Sequence, residues 1–339
     1  MKVYLNYQSV NVPSGGGNQF VKALRGQLER RGLLENDWKR ADLVVFFNYH
    51  HMDLWLQNAS AIAGKAIVHR VAGLARLQNH SLDQRDGVAR AFNKYFSDGT
   101  VFQTEWVRQA WLDDGLGAGI PCATIMNAPE PEIFHARGRR RFDPAVKTRL
   151  LAVSWSANPK KGFDVYSWLD ENLDFARYEM TFVGNAPLRF RNIRMLPPMP
   201  SDQLAGVYRD SDIYVTAVRH DPCSNALIEA LHCGLPVVAY DDGGNPEIIG
   251  KAGRLFRAPE EVPELLEDVR SHYFTYQGNI DLPSLEDVTS RYVDFFEHLL
   301  RDRCRRRRSI FWGTISLRWA LLKFVLSEKL FYSWSMFRG

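Results

Sequence analysis

Short apolar runs alternate with amphipathic stretches from the first residues of the chain onward. Val3–Tyr7, Asp42–Asn48, Ala66–Val71, Gly99–Gln103 and Ala123–Met126 are apolar-rich and short enough for strands. Runs without strict alternation suit parallel strands buried on both faces. Between them, Phe20–Arg31 and Glu105–Asp113 carry helical spacing. Such strand–helix alternation predicts a doubly wound α/β sheet. The segment His135–Val146 (HARGRRRFDPAV) breaks the pattern and reads as a linker. The alternation then restarts with strands at Leu150–Ser154, Glu179–Val183, Ile213–Thr216 and Pro236–Ala239. Leu204–Arg209 and Ala226–Cys233 read as helices, with Gly234 as the stop of the second. The expectation is two parallel-sheet domains, 1–145 and 146–284, facing a cleft. A helix with Val288, Tyr292, Phe295, Phe296 and Leu299 on one side follows at 285–304, and a tail at 305–339.

The chain has 339 residues, long enough to bury a full core without disulfide staples. Its net charge of +4 is unevenly placed. Residues 301–339 hold ten basic and two acidic side chains, which leaves residues 1–300 at −4. A mildly acidic body argues against a nucleic-acid groove, and the basic tail reads as an electrostatic address. Cys122, Cys223, Cys233 and Cys304 form no Cys-x-x-Cys pair, which points away from zinc and toward a reducing, cytoplasmic compartment. The opening MKVYLNY runs straight into a strand pattern and lacks a signal peptide's apolar stretch.

Asp212–Gly250 is the most informative stretch. A strand ends at Thr216, and a loop then enters a helix near Asn225. Unpaired amide groups at such an entry attract anions. Glu229 lies about one turn inside, where a carboxylate can accept hydrogen bonds from two neighbouring hydroxyls, such as those of a ribose. The next strand ends in Asp241-Asp242-Gly243-Gly244, and paired glycines let a backbone approach a phosphate closely.

These residues resemble the retaining glycosyltransferases of family four, within group 1, which have the GT-B fold of two Rossmann-like domains. The likeness rests on a Glu-x7-Glu signature, here Asp221 and Glu229. The Gly234-Leu235-Pro236-Val237-Val238 run and Gly243-Gly244-Asn245-Pro246-Glu247 follow it in order. Asp221 stands one methylene shorter than the usual Glu. The resemblance implies that Glu229 holds the nucleotide ribose and that Asp221 faces the donor sugar. In SWSANPKKGFD, Ser154–Asp164, it implies a phosphate-binding Lys161, with Lys160 beside it. The Arg usual five residues earlier is Ser156, and Lys160, Arg219 and Arg70 are the candidates for the missing charge. The glycine triplet Gly15-Gly16-Gly17 reads equally as an anion nest or a flexible turn in the first domain, and His69 falls at a strand end where an α/β sheet places ligands and where the resemblance implies a contact to the donor sugar. His50 and His51 end another strand and are weaker candidates. Base recognition is expected from Phe182–Pro187, including Gly184, and from Met195–Pro200.

Asp210-Ser211-Asp212 looks like an Asp-x-Asp metal motif but sits between a helix end and a strand, which favours a cap-and-turn role. No catalytic metal and no cofactor are expected, the nucleotide-sugar being a substrate. The implied reaction moves a sugar with retention to a saccharide acceptor, lipid-linked if the tail is a guide. A nucleotide-sugar epimerase or hydrolase and a degenerate scaffold are the alternatives. The tail places Phe311, Ile315, Trp319, Leu322, Leu326 and Leu330 at helical spacing behind Arg305–Arg308, as expected of a basic amphipathic helix lying on an anionic membrane at the cytoplasmic face.

Overall fold

A computed structural model of the chain describes residues 1–8, 16–116, 119–301 and 310–336. Gly15 and Arg305–Arg308 lie outside them. In the first half the elements run β1 (Val3–Asn6), α1 (Gly16–Arg30), β2 (Leu43–Phe47), α2 (Asp53–Ile62), β3 (Ala66–Val71), α3 (Ala75–Gln78), α4 (Arg85–Phe96), β4 (Gly99–Phe102), α5 (Glu105–Asp113) and β5 (Cys122–Thr124). The five strands are parallel and lie in sequential order, β1-β2-β3-β4-β5. After β1 the chain first makes a parallel bridge at Leu34 on the outer side of β1; from β2 to β5 the right-handed crossovers step the same way, which puts their helices on one face of the sheet. That face carries Val44, Phe46 and Ile67, covered by Trp55 and Ile62 of α2 and by Val88, Phe92 and Phe96 of α4. α5 adds Trp111, whose indole Nε1 donates to the Ala72 carbonyl at 2.6 Å.

The second half runs β6 (Thr148–Ser154), α6 (Phe163–Asn172), β7 (Tyr178–Gly184), β8 (Arg194–Leu196), α7 (Ser201–Arg209), β9 (Ile213–Thr216), α8 (Asn225–His232), β10 (Val237–Tyr240), α9 (Asn245–Ile249), β11 (Gly253–Phe256), α10 (Val262–Ser271) and α11 (Tyr273–Gly278). Its six strands are parallel in the order β11-β10-β9-β6-β7-β8. The chain starts at β6 in the middle, winds outward through β7 and β8, and then reverses to β9. The β6/β9 junction is therefore a topological switch point, where open α/β sheets leave a crevice at the strand ends.

The chain then returns as α12 (Leu285–Arg301) and α13 (Ile310–Met336). α12 packs on the face of the first sheet opposite α2 and α4, and Arg31 after α1 donates to its Ser290 hydroxyl at 3.0 Å. Its predicted stripe is the buried one, with Val288, Tyr292 and Phe296 fully enclosed. Arg70 on that face donates from Nε to the Tyr292 hydroxyl at 2.9 Å. α13 lies against α4, and Leu317 joins the core beside Phe92 and Phe96.

The chain divides into two units. Unit 1 contains Leu24–Met126 and everything from Glu286, with the first strand; unit 2 contains Asn127–Leu285, with the first turns of α1. The passage from unit 1 to unit 2 thus falls at Met126/Asn127, upstream of the predicted break. Residues 135–146 are not a free linker. Phe142 is buried and stacks on Tyr273 with ring centroids 4.0 Å apart. Arg139 lies over the same ring at 5.5 Å. The polar, basic look of the segment hid two side chains that pack it onto unit 2.

Candidate functional site

The loops after β6 and β9 meet at the switch point of unit 2. Gly162 ends the short turn Pro159–Lys161 with φ +77°, and a Cβ there would overlap the Ala217 carbonyl. Glycine is what lets the two loops touch. The Arg219 amide donates to the Lys160 carbonyl at 2.8 Å and laces them together. Lys161 Nζ consequently reaches Asp221 Oδ2 at 3.3 Å, with the lysine side chain still 31% exposed. Asp221 Oδ1 accepts from the Cys223 amide at 3.2 Å and shapes the entry into α8. Ser224, at the cap position, makes no side-chain capping bond. Asn225 opens the helix, and its Oδ1 accepts from Asn127 Nδ2 at 3.1 Å.

Glu229 sits one turn into α8, buried at the unit 2 core. Its Oε2 lies 3.4 Å from the Tyr208 hydroxyl of α7, which is also 3.0 Å from the Ala226 carbonyl. Burial pushes the carboxyl up to about 8, opposed by the Tyr208 hydrogen bond. Lys161, Asp221, Asn225 and Glu229 are thus carried by two neighbouring loops and one helix.

The two glycines after β10 act otherwise than expected. Gly243 has φ +64°, and a Cβ there would come within 2.5 Å of the Asp221 carbonyl oxygen. The Gly244 amide donates to that oxygen at 2.9 Å, and the Gly243 amide donates to Asp242 Oδ1 at 2.7 Å. Both amides are spent on the protein, so this pair clamps the Asp221 loop instead of offering donors to a phosphate. Asp242 adds to the clamp. Its Oδ2 accepts from the His220 amide at 2.8 Å and lies 3.0 Å from His220 Nδ1. His220 is held at φ +55°, unusual for a side chain with a Cβ.

The missing cation is not supplied by either arginine as placed. Arg219 makes two hydrogen bonds to Asp164, at 2.9 and 2.7 Å, over the ring of Tyr240. Arg70 belongs to unit 1 and is bonded to Tyr292. Ser156 turns its Oγ toward the Asn158 amide at 3.4 Å. Lys160 has its backbone in the turn and a half-buried side chain. Gly184 ends β7 packed on the Ser154 carbonyl, and Asn185 Nδ2 donates to the carbonyl of Trp155, a 42% exposed aromatic at the end of β6.

His69 is a core histidine. Its ring is fully buried in unit 1, with Nε2 2.7 Å from the Asn48 carbonyl and Nδ1 3.2 Å from Asn93 Nδ2. A neutral ring protonated at Nε2 satisfies both, and burial lowers its value to about 4. No ring atom is open to a sugar, so the expected donor contact fails here. Gly16 and Gly17 are the first residues of α1, with open space where a Gly17 Cβ would stand. His50 is held at about 4 by burial, with His51 and Arg85 adding to the effect. Asp212 takes a bidentate pair with Arg149 at 2.7 and 3.0 Å, as a structural carboxylate does. Among the described residues one cluster has metal-ligand spacing, His80, Asp83 and Glu328 in unit 1. Its Asp83 is already neutralised by Arg85.

Sequence reading missed Tyr208, His220 and Asp242. The Asp-Asp-Gly-Gly turn was a signal for the clamp, read as a phosphate loop. Nothing local marks Tyr208, because its contact with Glu229 spans 21 residues.

Residues 169–273 match the family model described as Glycosyl transferases group 1. A 67-residue stretch is 40% identical to a D-inositol 3-phosphate glycosyltransferase of Corynebacterium jeikeium, covering 19% of this chain and 16% of that protein. A 140-residue stretch is 26% identical to a probable sucrose-phosphate synthase of Thermosipho melanesiensis, covering 39% of this chain and 33% of the relative. The chain therefore matches less than half the length of these curated relatives. A glycosyltransferase structure from Rickettsia africae superposes with a TM-score of 0.67 at 12% identity, covering 89% of this chain and 99% of the other. The Anabaena protein HepE, solved in complex with UDP-glucose, gives 0.60 at 13% identity, covering 89% and 98%. The two parallel-sheet units are those of the GT-B glycosyltransferase fold, and residues 169–273 carry the group 1 pattern.

Proposed function

We propose that the chain is a retaining glycosyltransferase that moves a sugar from a nucleotide-sugar donor to a saccharide acceptor. The observation that carries this is the convergence of Lys161, Asp221 and Glu229 with the uncapped start of α8 at the β6/β9 switch point. Glu229 accepts the ribose hydroxyls. The amides of α8 and Lys161 meet the diphosphate, whose negative charge grows as the glycosidic bond breaks. In the free protein Lys161 is shared with Asp221; the donor's phosphates compete for it. Asp221 is then left to accept from hydroxyls of the sugar.

The acceptor oxygen forms its bond to the anomeric carbon on the face that the diphosphate leaves. The acceptor proton passes to a phosphate oxygen, so no enzyme carboxylate becomes covalently bound. Fixed cationic and amide groups supply the charge stabilisation that a metal ion supplies in other sites. Calorimetry with uridine, guanosine, adenosine and thymidine diphosphates tests the donor reading. One of them binds the parent, and Glu229→Ala with Lys161→Ala abolishes the heat. No binding by any of the four, or undiminished transfer by the double variant, refutes it.

We place the enzyme at the cytoplasmic face of a membrane, with a lipid-linked acceptor in cell-surface glycan assembly. α13 supports this. One side, through Gly313, Leu317 and Leu321, packs on α4 and its neighbours. The other leaves Phe311, Trp312, Ile315, Trp319, Leu322 and Leu326 exposed, along with Arg318 and Lys323. The helix is thus apolar on both sides, where an amphipathic one was expected. Ile310–Lys329 is long and apolar enough to cross a bilayer by length and composition. A helix docked along α4 instead offers its free side to the interface, where tryptophans and basic residues favour the headgroups. Trp312→Glu with Trp319→Glu leaves the docked side intact. The parent sediments with anionic vesicles and this variant stays in solution; a parent that stays in solution removes the membrane reading.

A further inference from the structure

Tyr208 carries one hydroxyl hydrogen and faces two acceptors, the Ala226 carbonyl at 3.0 Å and Glu229 Oε2 at 3.4 Å. One hydrogen does not serve both. With it on the nearer carbonyl, the contact to Oε2 is closed only by a proton on the carboxyl, donated back to the phenol oxygen. With Glu229 ionised, the hydroxyl turns to the carboxylate, because a charge-assisted bond is the stronger of the two. We propose that Tyr208 is a positioning residue whose hydroxyl swings between these two acceptors, so that Glu229 is stored as a neutral acid and sheds its proton when a nucleotide ribose binds. The inference rests on the donor reading above. The balance is simple: the Glu229 carboxylic acid and the ribose diol become a carboxylate accepting two hydroxyl hydrogen bonds, and one proton goes to the buffer.

The surroundings favour the neutral store. Burial holds the carboxyl at about 8. The groups electrostatically coupled to this pocket come from three elements. Tyr208 from α7 and Tyr214 from β9 are both raised well above their usual value by burial, and Cys233 just past α8 is raised to about 12. Asp221 lies beyond Tyr214 and adds negative charge on that side. His232, one turn along α8, is lowered to about 4 by burial and stays neutral. The phenols, the thiol and His232 therefore do not change charge between pH 7 and 9.5, whereas Glu229 does. The last ionisation of a phosphate has its midpoint near pH 6, so it is about nine-tenths complete at pH 7 and adds little across the window.

The test is calorimetric titration of the intact protein with each of the four nucleoside diphosphates at pH 7, 8 and 9.5, for the parent and for Tyr208→Phe. The parent's dissociation constant falls about fivefold between pH 7 and 8 and about twofold more by pH 9.5, as linkage to one proton requires. Tyr208→Phe loses the bond to the carboxylate, so its midpoint moves up. It binds several-fold more weakly than the parent at pH 7 and recovers most of the difference at pH 9.5. A merely structural role weakens binding equally at every pH, and that result overturns the inference, as does a pH-independent parent. No binding of any nucleotide at any pH refutes the donor reading instead.

Discussion

The two sheets of this molecule are built from the same βα units, yet their strand orders reverse at different places. In unit 1 the chain leaves β1 for the Leu34 bridge on one side, returns to β2 on the other, and then steps the same way to β5, while α12 lies on the face opposite α2 and α4. In unit 2 the order reverses between β6 and β9, so right-handed crossovers send α6 and α8 to opposite faces while the loops after the two strands meet. The reversal opens a crevice that no crossover helix fills. The strand-end position expected of His69 is not what the fold gives it. His69 is the fourth of the six residues of β3, paired beside Phe46 in unit 1 and sealed under α4, whereas Lys161 stands beyond the end of β6 and remains accessible.

Lys161→Met gives the largest effect and addresses the contrast directly. Loss of one fixed donor to a developing anion costs ~3 kcal/mol, so initial rates of sugar transfer fall by about a hundredfold. The pair with Asp221 is partly exposed, and such pairs contribute only ~0–1 kcal/mol to stability. Thermal melting therefore stays within a few degrees of the parent. Unchanged rates would move the chemistry away from the β6/β9 junction.

Gly243→Ala comes next and tests the clamp. The substitution forces a left-handed backbone on a residue with a Cβ and pushes that atom against the Asp221 carbonyl. A non-glycine residue so placed costs on the order of 1–3 kcal/mol. Both the melting temperature and nucleotide affinity drop, because the displaced Asp221 loop also leads into α8. A variant that melts earlier with unaltered affinity would show that the clamp holds the fold but not the site.

His69→Gln probes the sealed side of the comparison. The ring's ordinary value is 6.5 and its value in the fold is about 4. The unfolded chain takes up the proton first as pH falls. Stability is full above pH 6.5 and is lost between 6.5 and 4, by up to ~1.4 kcal/mol per pH unit for this group. His50 behaves alike. Glutamine keeps a donor and an acceptor but cannot titrate, so denaturant melts of the variant lose less between pH 7.5 and 5 than the parent's. Its transfer rate at pH 7.5 matches the parent's; a rate collapse with the fold intact would restore His69 to the chemistry.

What could be read in the sequence follows the range of the contacts. The five strands of unit 1, β6, β7, β9 and β10 of unit 2, the helix over Ala226–Cys233 and the stripe of α12 were legible because periodicity is a local property; the short edge strands β8 and β11 were not. The cassette from Asp221 to Glu247 was legible because its members share one strand–loop–helix–strand passage. The use of Gly243 and Gly244 was not. The Gly244 amide and the Cα of Gly243 face a loop some twenty residues away, and only the fold shows that the partner is the Asp221 backbone instead of a ligand. Phe142 and Arg139 escaped notice for the same reason: their partner Tyr273 lies more than a hundred residues downstream.

The smallest effect belongs to Gly17→Ala, which separates two meanings of the glycine triplet. Gly17 is the second residue of α1, and no atom outside the helix's own backbone lies within 4 Å of the place a Cβ would take. Alanine inside a helix is favoured over glycine by roughly 0.5–1 kcal/mol, and by less in a first turn. If the glycines only let the chain enter the helix, the variant melts slightly later and transfers sugar at the parent's rate. If a phosphate or acceptor oxygen must come close to this backbone, the added methyl group occupies that approach, and the rate falls severalfold while the melting gain persists.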